Sequence, residues 1–186
     1  MRADARRNRA RVLQIAQAAF ATEGLGVSLD EIARRAGVGP GTVHRHFPTK
    51  EALYLAVALD EIEELVTQAD LLAAGHDPAA VFALLSQMMA TGAKNAAVKS
   101  ALEAAALDLR TAAPRLAADL THRVANLLDR AQRAGVARED ATVEDLMALV
   151  AGAFAAIRHL GAETNPERST HIATLILDAL QPRQPR

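Results

Sequence analysis

Ser28-Leu29-Asp30-Glu31-Ile32-Ala33-Arg34-Arg35-Ala36-Gly37-Val38-Gly39-Pro40-Gly41-Thr42-Val43-His44-Arg45-His46-Phe47-Pro48-Thr49-Lys50-Glu51-Ala52-Leu53 is the stretch from which the rest of the chain is read. Ser28 stands three residues before Glu31, the spacing of a capping box at a helix start. The helix it opens buries Leu29, Ile32, Ala33 and Ala36 and stops at Gly37. Only Val38 and Gly39 intervene before Pro40, a good first-turn residue. The next helix is short, about Pro40 to Phe47. Pro48 ends it, and Thr49 caps a long helix running to about Ala69. Two short helices across a tight glycine turn form the helix-turn-helix pattern, whose second helix fits a DNA major groove. On a helical wheel Val43 and Phe47 face inward. Arg45 falls opposite, flanked by Gly41, Thr42 and His46. Arginine is the commonest base reader, because its paired N–H groups match O6 and N7 of guanine.

The candidate contact set for double-stranded DNA is Ser28, Arg34, Pro40, Gly41, Thr42, His44, Arg45, His46, Thr49 and Lys50. Ser28 and Thr49 stand at helix starts, where hydroxyls and free N–H groups hold phosphates. Lys50 lies in the first turn of its helix, where the dipole disfavours a cation. A phosphate nearby would explain it. Charge agrees. Residues 1–50 carry nine basic and four acidic side chains, a net of +5, whereas the remainder carries 12 basic and 18 acidic, a net of −6. A basic head on an acidic body suits a polyanion at the head alone.

Outward from this segment the chain reads as helix throughout. It has 186 residues, 51% hydrophobic but only 3% aromatic, and 43 alanines make up the difference. Alanine is the best helix former and a poor strand former. Before the quoted stretch, Val12, Leu13, Ile15, Ala16, Ala19 and Phe20 form a helical stripe from about Arg6 to Thr22, stopped by Gly24 and Gly26. After it, helices are expected from Asp77-Pro78, over Val98 to Ala112, from Pro114 to Gly135, from a Thr142 cap, and from Asn165-Pro166. The expected fold is all-α, about nine helices: a three-helix DNA-binding domain over 1–48, a C-terminal antiparallel helical bundle over 49–181, and a frayed tail over 182–186.

Several classes are excluded. There is no cysteine, hence no disulfide, thiolate zinc site or cysteine nucleophile. The longest apolar run, Leu146 to Ile157, falls well short of the roughly 20 residues of a membrane span. The arginine-rich start has no apolar stretch after it, so it does not read as a secretory signal, and a cytoplasmic protein is expected. No Walker loop, dinucleotide glycine fingerprint or Gly-x-Ser-x-Gly elbow occurs. Asp119 with His122 is a single Asp-x-x-His, whereas a di-iron bundle needs two such pairs. No enzyme, metal or cofactor is expected. The alternatives to a DNA-binding regulator are a helical protein–protein adaptor and a metal-binding bundle without DNA binding.

The segment 28–53 resembles the DNA-binding domain of TetR-family (tetracycline-repressor-like) transcriptional regulators. Ile32-Ala33-Arg34-Arg35-Ala36-Gly37-Val38 and His46-Phe47-Pro48-Thr49-Lys50-Glu51-Ala52-Leu53 carry the resemblance, and Phe20 and Gly24 fit it. Arg133-Ala134-Gly135-Val136 through Glu144-Asp145-Leu146 is similar to a C-terminal domain type of actinobacterial members. The chain departs from the family in a short Gly24–Val27 loop. It also has Val43-His44 where Leu-Tyr is common, so histidine replaces a DNA-contacting tyrosine. The resemblance implies a homodimeric repressor that binds an operator and releases it when a small-molecule effector occupies the C-terminal domain. The helix joining the two domains would be the lever. The candidate effector contacts are Phe82, Met88, Met89, Asn95, Leu107, Asp108, Arg110, His122, Phe154 and Arg158, with core packing the competing assignment of Met88 and Met89, and a capped or solvent-facing place that of His122, Asp108 and Arg110. The expected dimer face is Leu146, Val150, Ala153, Phe154, Ile157, Ile172, Leu175, Ile176 and Ala179, with intrachain core as the competing assignment of the same stripes.

Overall fold

A computed structural model describes residues 2–161 and 165–182. Among the described residues there are ten helices and no strand. They are α1 (Arg2–Glu23), α2 (Leu29–Ala36), α3 (Pro40–His46), α4 (Lys50–Ala74), α5 (Ala80–Lys94), α6 (Ala96–Ala104), α7 (Leu109–Ala112), α8 (Pro114–Arg133), α9 (Val143–His159) and α10 (Pro166–Ala179). No helix is long and apolar enough to cross a membrane among these residues. Contacts group the chain into two compact units. One holds residues up to Glu61 together with Ala97–Ala113, and the other holds Ile62–Ala96 with the chain from Pro114 onward. This packing division differs from a cut at residue 48. Of the expected tail, residues 183–186 lie outside the described residues.

The N-terminal unit is built on the stripes read above. Leu13 and Phe20 of α1, Ile32 and Ala33 of α2, Val43 of α3, and Leu53 and Val57 of α4 share one core, joined by Val98 and Leu102 of α6. Burying each large aliphatic side chain contributes about 1.5–3 kcal/mol. Phe20 meets Tyr54 edge-on at 5.1 Å, and the Tyr54 hydroxyl donates to the Leu25 carbonyl at 3.3 Å. Burial raises the Tyr54 phenol above its ordinary range. Gly37 ends α2 at φ 66°, where its N–H and that of Val38 close on the carbonyls of Arg34 and Ala33. That left-handed cap carries a steric penalty for any residue with a Cβ.

One expected helix is two. The run Val98–Ala112 breaks between α6 and α7, at Ala106, which adopts φ 55°. Ala106 N–H bonds to Glu103 O at 3.0 Å and Leu107 N–H to Leu102 O at 2.9 Å, a Schellman closure. Leu107 then packs against the N-terminal core, which includes Leu102, in the way an apolar residue usually accompanies this cap. Asp108 restarts the chain as N-cap of α7, accepting from Arg110 N–H at 3.0 Å. Three alanines in a row carry no break signal, so propensity alone reads through the site.

The C-terminal unit packs α5, α8, α9 and α10 as a helical bundle with the second half of α4. Arg130 of α8 closes the end of α4, donating to the carbonyls of Leu72 (3.1 Å), Ala73 (3.1 Å) and Gly75 (2.7 Å). A cation at a helix C-terminus satisfies carbonyls that have no partner within the helix. Gln132 donates to the carbonyls of Arg138 and Ala141, shaping the turn around Gly135 at φ 69°. Arg138 N–H reaches Leu180 O at 3.0 Å, which fastens this turn to the end of α10. Thr142 and Asp145 form a reciprocal capping box at the start of α9, and these hydrogen bonds hold the Asp145 carboxyl below its ordinary range.

Candidate nucleic-acid interface

α2 and α3 set the geometry of the basic head. The Ser28 hydroxyl accepts from Glu31 N–H at 3.1 Å and caps α2. The Thr49 hydroxyl accepts from Ala52 N–H at 3.1 Å and caps α4. Both hydroxyls keep their own proton to donate outward. Val43 of α3 and Phe47 directly after it are buried, at 1% and 3% exposure, and anchor the helix. Pro40, Gly41, His44, Arg45 and His46 are exposed and Thr42 is half-buried. A Cβ placed on Gly41 would meet no atom of the described residues within 4 Å, so the backbone here is open.

The basic side chains divide by partner. Arg34 donates through Nε and Nη2 to Glu31, at 2.8 and 2.7 Å. Arg35 bridges Glu31 and Glu23. The two guanidiniums hold the Glu31 carboxyl down to about 2, and Arg35 also lowers that of Glu23. His44 Nε2 lies 2.9 Å from Asp30 Oδ1. The ion pairs of α2 and α3 thus engage Arg34, Arg35 and His44, and none among the described residues engages Arg45. Lys50 reads differently from the sequence expectation. It is half-buried, and its Nζ donates to Leu25 O at 3.2 Å and Gly26 O at 3.5 Å. Those carbonyls give the misplaced cation a partner within the chain, so a phosphate is not needed to account for it.

Sequence reading missed two arginines. Arg9 of α1 stands over the Phe47 ring, 5.9 Å from its centroid, beside the end of α3. Arg11 Nη1 lies 4.0 Å from the Cβ position of Gly37, at the α2–α3 turn. The +5 charge of the head was a signal for them, but their place beside the turn depends on how α1 packs.

The expected effector residues do not all come together. Met88 and Met89 are core, at 5% and 1% exposure, while Phe82 and Phe154 are half-buried. Phe154 covers Gly92. A Cβ there would stand 1.9 Å from Phe154 Cε1, so the glycine is what admits the ring. Asn95 is 3% exposed. Its Nδ2 donates to Thr91 O at 3.2 Å, and its Oδ1 has no partner among the described residues. The other candidates are placed apart from these. Leu107 packs in the N-terminal unit and Asp108 caps α7 there, with Arg110 exposed beside it. His122 is exposed on α8 against Asn126 Nδ2 at 3.2 Å, and Arg158 is exposed.

The expected dimer face is also corrected in part. Leu146, Val150, Ala153, Ile157 and Ile172 are buried within the chain's own core, and Phe154 and Ile176 are half-buried against it. Leu175, 57% exposed, and Ala179 do lie outward, as do Leu149 and Gly152. The apolar stripes are wide enough to face inward on one side and still leave leucines on the other. Among the described residues, no three His, Asp or Glu side chains gather as a metal site.

A three-helix head with an anchored, outwardly cationic second reading helix, followed by a helical bundle, defines a helix-turn-helix DNA-binding regulator. Residues 12–57 match the profile of bacterial regulatory proteins of the tetR family, and residues 77–182 match the SbtR-like transcriptional regulator C-terminal domain. A TetR transcription regulatory protein from Mycobacterium vanbaalenii is 43% identical, with 97% of this chain and 98% of that chain covered and a TM-score of 0.75. A TetR transcriptional regulator from Streptomyces coelicolor is 31% identical over 95% of this chain and 99% of its own, with a TM-score of 0.71. An HTH-type transcriptional regulator of Staphylococcus aureus is 39% identical over 69 residues, and the match spans 37% of each protein. The chain belongs to the TetR family of transcriptional regulators, which are transcription factors rather than enzymes.

Proposed function

We propose that the chain acts in the cytoplasm as a homodimeric, ligand-responsive repressor. α3 of each copy enters a major groove, and the two reading helices stand about 34 Å apart, one turn of duplex. The observation that carries this reading is Arg45, exposed on α3 and in no ion pair among the described residues. Gly41, Thr42 and His46 lie on the same face, Pro40 leads into it, and the hydroxyls of Ser28 and Thr49 meet phosphates. Arg34, Arg9 and Arg11 add to the field, although Glu31 offsets the charge of Arg34. In this reading residues 1–48 form the DNA-binding part and 49–181 the effector-binding and dimerising part. The second copy covers the outward leucines of α9 and α10. The effector meets the unpartnered Asn95 oxygen and the Phe154 ring. α4 carries the change, because it runs unbroken from the first unit into the second.

Selection of bound duplexes from random DNA, followed by titration, tests the reading. Arg45→Ala should cost about 1–3 kcal/mol on the selected site and relax preference at one base position per half-site. Equal weakening on every sequence would reduce Arg45 to a phosphate contact. A protein that ignored all duplexes at low salt would end the DNA-binding reading for this chain.

A further inference from the structure

We infer that duplex binding by this chain takes up a proton at His44, and that Asp30 is the positioning residue that makes the ring ready for it. The inference rests on the reading of α3 as the DNA-contacting helix. Asp30 is the second residue of α2, and His44 lies in the last turn of α3. Their side chains are 69% and 50% exposed, and Nε2 stands 2.9 Å from Oδ1. An ionised carboxylate only accepts, so the hydrogen in this contact belongs to Nε2. In the neutral ring Nδ1 then carries a lone pair and no hydrogen. A phosphate oxygen offers lone pairs as well, so the neutral ring in this pose has nothing to give it. Protonation at Nδ1 turns both edges into donors. One serves Asp30 and the other is free for a phosphate.

The surrounding charges set the balance. On α3 itself stand Arg45 and His46. On α2, Asp30 makes the direct contact, while Glu31 is engaged by Arg34 and Arg35. On α1, Arg9 lies beside Phe47. On α4 stand Lys50, tied to the Leu25 and Gly26 carbonyls, and Glu51. Asp30 is the one carboxylate touching the ring among the described residues. A duplex adds dense negative charge on the ring's other side, where Nδ1 faces no hydrogen-bond partner of its own among those residues in this pose. Histidine is the side chain whose charge changes between pH 5 and 8. A tyrosine at this position would not respond there, so the device belongs to the Val43-His44 departure.

Linkage fixes the sign. If the bound state holds more protons, affinity rises as pH falls, by up to about tenfold per contributing chain for each pH unit. A duplex selected from random DNA is titrated at fixed ionic strength from pH 7.5 to 6.0. Wild type should tighten by about fivefold or more. His44→Tyr and Asp30→Asn should flatten the profile, and His76→Gln, exposed between α4 and α5 in the other unit, should keep its slope. Calorimetry in two buffers of different ionisation enthalpy should show proton uptake that His44→Tyr abolishes. A flat wild-type profile, or a slope that survives in His44→Tyr, overturns the inference while leaving DNA binding intact. So does an Asp30→Asn variant that binds tighter by the same factor at every pH, because Asp30 would then only repel the duplex. Failure to hold any duplex at any pH would instead bring down the reading of α3 itself.

Discussion

The two compact units present different outer surfaces. In the N-terminal unit the large apolar side chains are inside, and the outward face of α3 is arginine, histidine and glycine. The exposed large hydrophobics among the described residues are Leu71, Leu149, Leu160 and Leu175, and all four fall in the C-terminal unit. An unpaired cation on a small, well-anchored helix suits a polyanion, which needs no apolar contact. Leucines left in water suit an apolar partner, and a second copy of the same chain supplies one by symmetry. In the proposed dimer, the contrast lets one chain hold two kinds of partner. Each unit completes its own core, and what the core leaves over differs in chemistry.

Truncations inside the two cores should give the largest effects. Ile32→Ala and Leu84→Ala, each at a fully buried site in a separate core, should each lower unfolding stability by about 2–5 kcal/mol in urea titrations. A loss under about 1 kcal/mol at either site would mean that its core relaxes around the hole. Next is the outer surface. Leu175→Glu should leave folding within about 0.5 kcal/mol. It should weaken self-association by about 2 kcal/mol, near thirtyfold, in sedimentation experiments. An unaltered dimer would move the contact off this face of α10. Lys50→Ala is smaller and separates the two explanations of that residue. Loss of its bonds to Leu25 and Gly26 should cost about 1 kcal/mol of stability, with the salt dependence of DNA affinity unchanged. A slope reduced by about one per chain would return Lys50 to the phosphate contacts. The smallest effect has the opposite sign. Ala106→Gly should stabilise by about 0.5–1 kcal/mol, because glycine adopts φ 55° without a Cβ penalty. A lower melting temperature would show that the alanine methyl has a packing role.

Much of the N-terminal half was legible because its signals are local. Ser28 and Glu31 cap α2, Gly37 ends it, Pro40 opens α3, and Val43 and Phe47 anchor α3. Each of these acts within one or two turns of helix. The long helices were legible in existence and less so in orientation. A broad apolar stripe on α9 says that one side is buried, but the wheel cannot say against what. It left Leu146, Val150, Ala153 and Ile157 open between a second copy and the chain's own core, and the fold covers them with the chain's own helices. The break at Ala106 was invisible for a related reason. It is imposed by a cap that closes on Leu102 and Glu103 and is anchored by packing of Leu107, not by a residue that resists helix.

Sequence by itself determined that the chain is helical, that a basic helix-turn-helix lies at its head, and that Arg45 faces away from Val43. These follow from periodicity, capping and charge, which act between near neighbours. Tertiary structure alone decided that Lys50 ties down the loop before α2, that Arg130 closes α4, that Phe154 fills the space at Gly92, and that Asp30 holds His44. Each of those contacts joins residues 14 to 62 positions apart. Whether such residues meet depends on how the helices pack, and that is set by the shape of the whole core rather than by any one segment.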